Sequence, residues 1–326
     1  MNRGEAARRI KEIALEEGFD RAGVARLGPA ATAEAFHRWL ADGRQAGMSY
    51  LDRQVEVRDD PRRLLAAARS ILCVALQYAP RPEREACGPA LGDFWPRVAR
   101  YARGEDYHDF MRAALKQVAA RVESEFPGVL TRVCVDTAPI LEREWAARAG
   151  LGAVGKNTQL LHPEAGSWFL LGEVVLTLDL AADLPVSDLC ASCTRCLEAC
   201  PTGALTAPFE LDSRRCISYW TIEHRGEIPV EMRGELAGWV FGCDICQEVC
   251  PWNSRALESR AEQFATPPQR VGLDLVALLE CTDDELSSLF RGTPLLRPRP
   301  EGLRRNLRLA IEATGRNASG EPPLTA

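Results

Sequence analysis

Cys190-Ala-Ser-Cys193-Thr-Arg-Cys196-Leu-Glu-Ala-Cys200-Pro201 is the stretch on which the architecture turns. Two-residue gaps set three thiolates around three corners of a cubane, while the fourth cysteine rides the next helical turn toward a second cluster. A matching set follows at Cys216 and then, after a long interval, at Cys243-x2-Cys246-x3-Cys250-Pro251. On that rule Cys190, Cys193, Cys196 and Cys250 bind one [4Fe–4S] cluster, and Cys200, Cys216, Cys243 and Cys246 bind the second. Residues 217–242 then form an insertion between ligands. Zinc fits poorly, because zinc sites pair two CxxC elements around one tetrahedral ion and do not trail CxxxCP ends. Cys73, Cys87, Cys134 and Cys281 fall outside the pattern, and Cys73 and Cys134 read as small core residues in strands.

Outward from the cysteines, the chain of 326 residues has a net charge of −6. That balance argues against a non-specific nucleic-acid binder. The charge is uneven, however: Arg291, Arg297, Arg299, Arg304, Arg305 and Arg308 crowd one segment with a single acid, Glu301. They form either a solvated face or a phosphate-contacting patch. Residues 1–19 are charged and amphipathic with no apolar signal core, so a soluble cytoplasmic chain with reduced thiols is expected. The most apolar stretch, Trp168 to Leu184, is interrupted by Glu173, Asp179 and Asp183, and reads as buried strand.

Strands are expected at 22–27, 70–78 (closed by Pro80), 131–136 and within 168–180. Helices are expected at 4–19, 31–42, 109–126 and 139–149, the last opened by Pro139 at its first turn. Their alternation predicts an α/β domain over roughly the first 180 residues. The cysteine module follows, and 270–317 reads as helical with proline-rich breaks, before a frayed tail after Arg316.

Two segments of the α/β part look chemical. In Val135-Asp136-Thr137-Ala138-Pro139-Ile140-Leu141-Glu142-Arg143, Asp136 stands where α/β folds place catalytic groups, although an ordinary helix cap would look the same. In Gly150-Leu-Gly152-Ala-Val-Gly155-Lys156-Asn157-Thr158, followed by Gly166-Ser167, the glycines suit either close approach to a large polar cofactor or a tight turn. The run is neither a P-loop nor a firm dinucleotide fingerprint. Asp106-Tyr-His108 lacks the final glycine of the DxHxxG cobalt-ligand pattern, so His108 reads as structural or substrate-facing.

Taken together, VDTAPILER at 135–143, GxGxxGKNT at 150–158, CxxCxxCxxxCPTGAL at 190–205, CISYWTIEHRGEIP at 216–229 and GCDICQEVCPWN at 242–253 resemble the epoxyqueuosine reductases. Met48-Ser-Tyr50-Leu51 with Arg58, and the stretch from Tyr101 to His108, match as well, so the resemblance spans nearly the whole chain. It implies a nitroreductase-like cobalamin-binding domain (1–182) joined to a two-cluster ferredoxin-like module (183–257), with a short helical C-terminal segment (258–326). Many members continue into HEAT-like repeats beyond the segment equivalent to 302–311, and such repeats are not expected here. The implied activity is reduction of epoxyqueuosine to queuosine at the wobble position of tRNA with a GUN anticodon. The implied cofactors are cobalamin and two [4Fe–4S] clusters, and electrons would come from a low-potential donor such as ferredoxin or flavodoxin.

Asp136 would be the proton donor, with its pKa raised by burial against the corrin. Arg58, Lys156, Asn157, Ser167, Ser218 and Tyr219 would join it in binding cobalamin, while Tyr101, His108, Trp220 and Arg225 would meet the substrate base and its phosphates. A monomer is expected. A reductive dehalogenase-like corrinoid enzyme or an electron-transfer iron–sulfur protein would share parts of this pattern.

Overall fold

A computed structural model describes residues 1–78, 93–256, 264–267 and 270–314. Pro80, Cys87 and the tail beyond Arg316 lie outside the described residues.

The core of the first domain is a four-stranded sheet, β1 (Arg21–Arg26), β2 (Ser70–Gln77), β3 (Thr131–Cys134) and a long last strand, Phe169–Leu176. The order places β2 beside that last strand at the centre, with β1 and β3 at the edges. The alternating pattern of elements predicts strands without their direction, and every neighbouring pair here is antiparallel. β2 is buried along all eight residues, as its continuous apolar run requires of a central strand covered on both faces.

Side-chain alternation divides the sheet into two faces. On one, Leu72, Val74, Leu76, Leu170, Val174 and Leu176 pack with helices α1 (Arg3–Glu16) and α4 (Tyr107–Glu125). α4 offers Met111, Leu115, Val118 and Val122 as a helical stripe, and Asp106 caps it by accepting from His108 N–H. On the other face, Ile71, Cys73, Ala75, Cys134 and Val175 meet Trp145, Ala146 and Ala149 of α5 (Glu142–Arg148). Contact there is close: a Cβ on Gly23 would lie 2.1 Å from the Ala149 carbonyl oxygen. Between β1 and β2 lie α2 (Ala33–Ala41) and the short α3 (Val55–Asp59).

α5 begins at Glu142, three residues later than Pro139 suggests, because Ala138 to Leu141 form a turn in which Ile140 N–H bonds to the Ala138 carbonyl. The glycine-rich run is a tight turn: β4 (Ala153–Val154) and β5 (Leu160–Leu161) make a small hairpin whose tip is Lys156 to Thr158. The long last strand, numbered β6, follows it.

The cysteine module carries α6 (Arg195–Ala199), the pair β7 (Leu205–Ala207) and β8 (Glu210–Leu211), α7 (Val230–Arg233) and α8 (Ile245–Glu248). The C-terminal helices α9 (Leu275–Glu280), α10 (Asp283–Leu289) and α11 (Arg299–Glu312) share a core with Phe94, Val98, Ala102, Val240 and Phe241. The C-terminal segment is therefore packed on both the insertion and the first domain. Arg305 and Asn306 secure it: they donate to the carbonyls of Trp220, Thr221, His224, Gly226 and Val240. Among the described residues no helix is long and apolar enough to cross a membrane.

Candidate functional site

The cysteines gather into two neighbourhoods. Cys250 lies within electrostatic reach of Cys190 and Cys193, and Cys196 of Cys190 and Cys250. Cys216, Cys243 and Cys200 form the other group, with Cys246 beside Cys243 and Cys216. Backbone donors already surround the sulfurs: Ala204 N–H reaches Cys200 Sγ at 3.3 Å and Lys156 N–H reaches Cys190 Sγ at 3.4 Å. Ser218 and Tyr219 N–H and the Ser218 hydroxyl bond to Cys216, and Trp252 and Asn253 N–H to Cys250. Sulfur sites preset with N–H donors suit bound cubanes, whose potentials depend on such bonds. Among the described residues no three His, Cys, Asp or Glu side chains converge as a single-ion site would require.

Several residues expected at the corrin make bonds within the protein. Lys156 Nζ donates to the carbonyls of Ala191 at 2.6 Å and Cys193 at 3.0 Å, and Asn157 Nδ2 to that of Cys246 at 3.3 Å. The hairpin tip therefore touches both cluster loops. Ser167 is latched by Gln247 and Asn253 side chains, which tie α8 to the start of β6. Tyr219 OH accepts from Gly47 N–H and supports the 47–52 loop. Arg58 is buried, donating to the Arg53 carbonyl at 2.5 Å.

A second constellation lies at the carboxyl end of β3. Asp136 adopts a left-handed backbone (φ 45°) just past the strand, and it does not cap α5, whose N-terminal flank is Leu141. Glu142 Oε1 accepts Asp136 N–H at 2.7 Å. The Asp136 carboxylate meets His108 Nε2 at 3.0 Å, and His108 Nδ1 meets Asp106 Oδ1 at 2.6 Å. Tyr107 stacks on the His108 ring, centroids 4.0 Å apart, and also bonds to Asp136. Tyr101 packs edge-on against Tyr107.

Asp136 stays open to the cleft, its side chain 47% exposed. Its recessed position pushes the carboxyl up, but the His108 bond and charge, Tyr107 and Arg297 outweigh that, so it lies below the ordinary value. Desolvation is the largest single effect, and the bonds and charges of these partners together exceed it. Burial pulls His108 down, yet its bonds to Asp106 and Asp136 win and lift it to about 9. Asp106, held mainly by His108, is also lowered. At neutral pH the Asp106–His108–Asp136 chain thus carries one proton, on the imidazole.

Of the other residues expected at the substrate, Trp220 is 9% exposed and packs with Ile217 and Trp239, which leaves little ring for a base. Arg225 donates to the Ile222 and Arg297 carbonyls. In the arginine-rich segment Arg297 pairs with Glu223 and Arg304 with Asp283, while Arg291, Arg299 and Arg308 are exposed. Glu142, Tyr107, Gln247 and Asn253 lie within the motifs that carry the resemblance and Arg297 within the arginine-rich segment, but nothing in the linear sequence pairs them with Asp136 or Ser167.

A family model for the 4Fe-4S double cluster binding domain matches residues 189–253, and one for "Epoxyqueuosine reductase QueG, DUF1730" matches 58–137. An epoxyqueuosine reductase of Synechococcus sp. (strain RCC307) is 41% identical over 91% of this chain and 91% of its own length. One from Leadbetterella byssophila is 38% identical over 94% and 98%. The chain belongs to the epoxyqueuosine reductase family. Solved members superpose closely. An epoxyqueuosine reductase with an epoxyqueuosine-modified tRNA-Tyr stem loop has TM-score 0.89 at 29% identity, covering 97% of this chain and 83% of that one. A Bacillus subtilis member, with its catalytic aspartate loop swung out of the active site, gives 0.87 at 29%, covering 95% and 82%. The module of residues 189–253 is accordingly a double [4Fe–4S] domain, and the chain is a reductase.

Proposed function

We propose that this chain reduces the epoxide of epoxyqueuosine in tRNA to the alkene of queuosine, with Asp136 delivering the proton to the departing oxygen. The observation that carries the reading is Asp136 itself: a carboxylate excused from capping, open to a cleft, and bonded to a protonated histidine. Epoxide oxygen is a poor leaving group until it is protonated, so a positioned acid is worth about 10²–10⁴ in rate. His108 holds the proton at rest; it crosses the 3.0 Å bond to Asp136 and passes on to the substrate.

We assign Cys190, Cys193, Cys196 and Cys250 to one cluster and Cys200, Cys216, Cys243 and Cys246 to the other. Cobalamin in the cleft beside Asp136 would supply a strongly nucleophilic metal centre. Around that cleft Tyr50 sits within electrostatic reach of Arg58, Glu223 and Arg297, and both Arg297 and Tyr50 of Asp136. Such a rim of donors and acceptors suits the carboxamide edge of a corrin. Lys156, Asn157, Ser167, Ser218 and Tyr219 serve at the seam between that cleft and the clusters. Tyr101, His108, Trp220 and Arg225 would meet the substrate base and its phosphates, His108 from beside the Asp136 carboxylate.

The division at 182–183 and 257–258, a monomeric cytoplasmic enzyme, tRNA with a GUN anticodon, and ferredoxin or flavodoxin as donor complete the proposal. Anaerobically reconstituted protein, given cobalamin and a low-potential reductant, should convert epoxyqueuosine-tRNA to queuosine-tRNA by nucleoside mass spectrometry. About eight irons per chain should accompany it. Intact epoxyqueuosine in the presence of full iron and cobalt would refute the reading.

A further inference from the structure

The Asp106–His108–Asp136 chain stores one proton, yet turning an epoxide into an alkene consumes two. Building on the proposed reduction, we propose that Glu142 is the second proton source, reloading Asp136 from the α5 side as His108 loads it from the α4 side.

The stoichiometry is explicit. As the first C–O bond breaks, one proton converts the epoxide oxygen to a hydroxyl on the adjacent carbon. As the second C–O bond breaks, another proton joins the same oxygen, which leaves as water. The two electrons, supplied through the clusters, end in the new C=C bond. After the first transfer the Asp106–His108–Asp136 chain is empty. A further acid must stand within reach of Asp136.

Glu142 meets that requirement by position. One of its oxygens accepts Asp136 N–H at 2.7 Å, which leaves the other free to carry a proton. Both carboxyls line one cavity of about 140 Å³, walled further by Tyr107, Arg143, Gln159 and Ser167. That is room for several waters, since one needs about 10–15 Å³. A proton can therefore cross from Glu142 to Asp136 through water in the cavity.

Behind Glu142 lies an unusual floor. Glu173 is fully buried in the centre of β6, opposite Cys73 of β2 and Cys134 of β3, and neither of its carboxyl oxygens has a hydrogen-bond partner among the described residues. The Trp145 indole N–H, in the same core, is also buried without one. An unpaired carboxylate in such a place would be prohibitively expensive, so Glu173 is neutral. No cation reaches Glu142 from that side. The groups facing it are Asp136 from the β3–α5 turn, His108 from α4, Arg143 from α5 and Glu173 from β6. The Cys73 and Cys134 thiols face it from β2 and β3. Burial first, then the charge on Asp136, push Glu142 up to about 7, so it keeps its proton where an ordinary glutamate has lost it.

The test compares wild-type holoenzyme with Glu142→Gln, Glu142→Asp and Glu173→Gln on an epoxyqueuosine-modified stem loop. Wild-type turnover should fall first through pH about 7 as Glu142 ionises, then through about 9 as His108 does. Glu142→Gln should lower kcat about 10²-fold and erase the limb near 7, leaving that near 9; Glu142→Asp should restore part of both. Independently of turnover, infrared titration of the whole chain should show a neutral carboxyl band vanishing near pH 7. Glu142→Gln should delete that band, and Glu173→Gln should delete a second that does not titrate. Wild-type kcat with an intact limb near 7 in Glu142→Gln would overturn the inference, as would the absence of a carboxyl band titrating near 7 in the wild type. An active Asp136→Asn would instead sink the underlying reading, so the two failures are distinguishable.

Discussion

The two faces of the central sheet are made from the same strands and have opposite characters. Toward α1 and α4, β2 and β6 present mainly hydrocarbon: Leu72, Val74, Leu76, Leu170, Val174 and Leu176. Toward α5, the alternate residues include Cys73, Cys134 and Glu173, and the helix that covers them begins at Glu142, whose carboxylate accepts Asp136 N–H. One face holds the domain together. The other accepts an unpartnered acid in its core, a destabilising feature of the kind that collects at functional sites. A one-residue step along a strand separates the two roles.

That contrast can be broken from either side. Asp136→Asn, on the chemical side, should keep both clusters and the fold but lower single-turnover reduction about 10²–10⁴-fold; iron analysis with nucleoside mass spectrometry checks it. Leu115→Ala, on the hydrocarbon side, should cost about 2–5 kcal/mol in denaturant unfolding and leave kcat per folded molecule unchanged. Glu173→Leu should do the reverse, stabilising the apoprotein by about 1–3 kcal/mol by removing a buried acid without partners. A loss of stability there would mean that Glu173 has partners in solution. The smallest effect is linked to pH. Because His108 is raised to about 9 from an ordinary 6.5, its pairing contributes stability fully below pH about 6.5 and loses it as pH rises through about 9. The gap in Tm between wild type and His108→Gln should therefore narrow over that window.

How much was legible in the sequence follows from the range of each signal. The cysteine spacing is local and rigid, so the cluster module could be read directly; even Cys216, detached by the insertion, fell beside Cys200 and Cys243. Buried strands declared themselves as apolar runs, but their antiparallel pairing did not, since periodicity is blind to direction. Asp136 drew notice from its place after β3, whereas Glu142, six residues on in the same motif, did not. What distinguishes it is a hydrogen bond across a turn and a neutral glutamate on a different strand. Lys156 and Asn157 were expected at the corrin, and their contacts with the cluster loops depend on segments more than thirty residues away. The arginines of 291–308 suggested phosphate because sequence shows charge without its partners, and Glu223, Asp283 and backbone carbonyls supply those of Arg297, Arg304 and Arg305.

The most direct test is where the resting proton of the site sits. In protein carrying ¹⁵N-histidine, the His108 ring should remain protonated on both nitrogens at pH 7 and titrate near 9, and Asp136→Asn should move that titration down. A His108 ring neutral at pH 7, with the proton on the Asp136 carboxyl, would contradict the account.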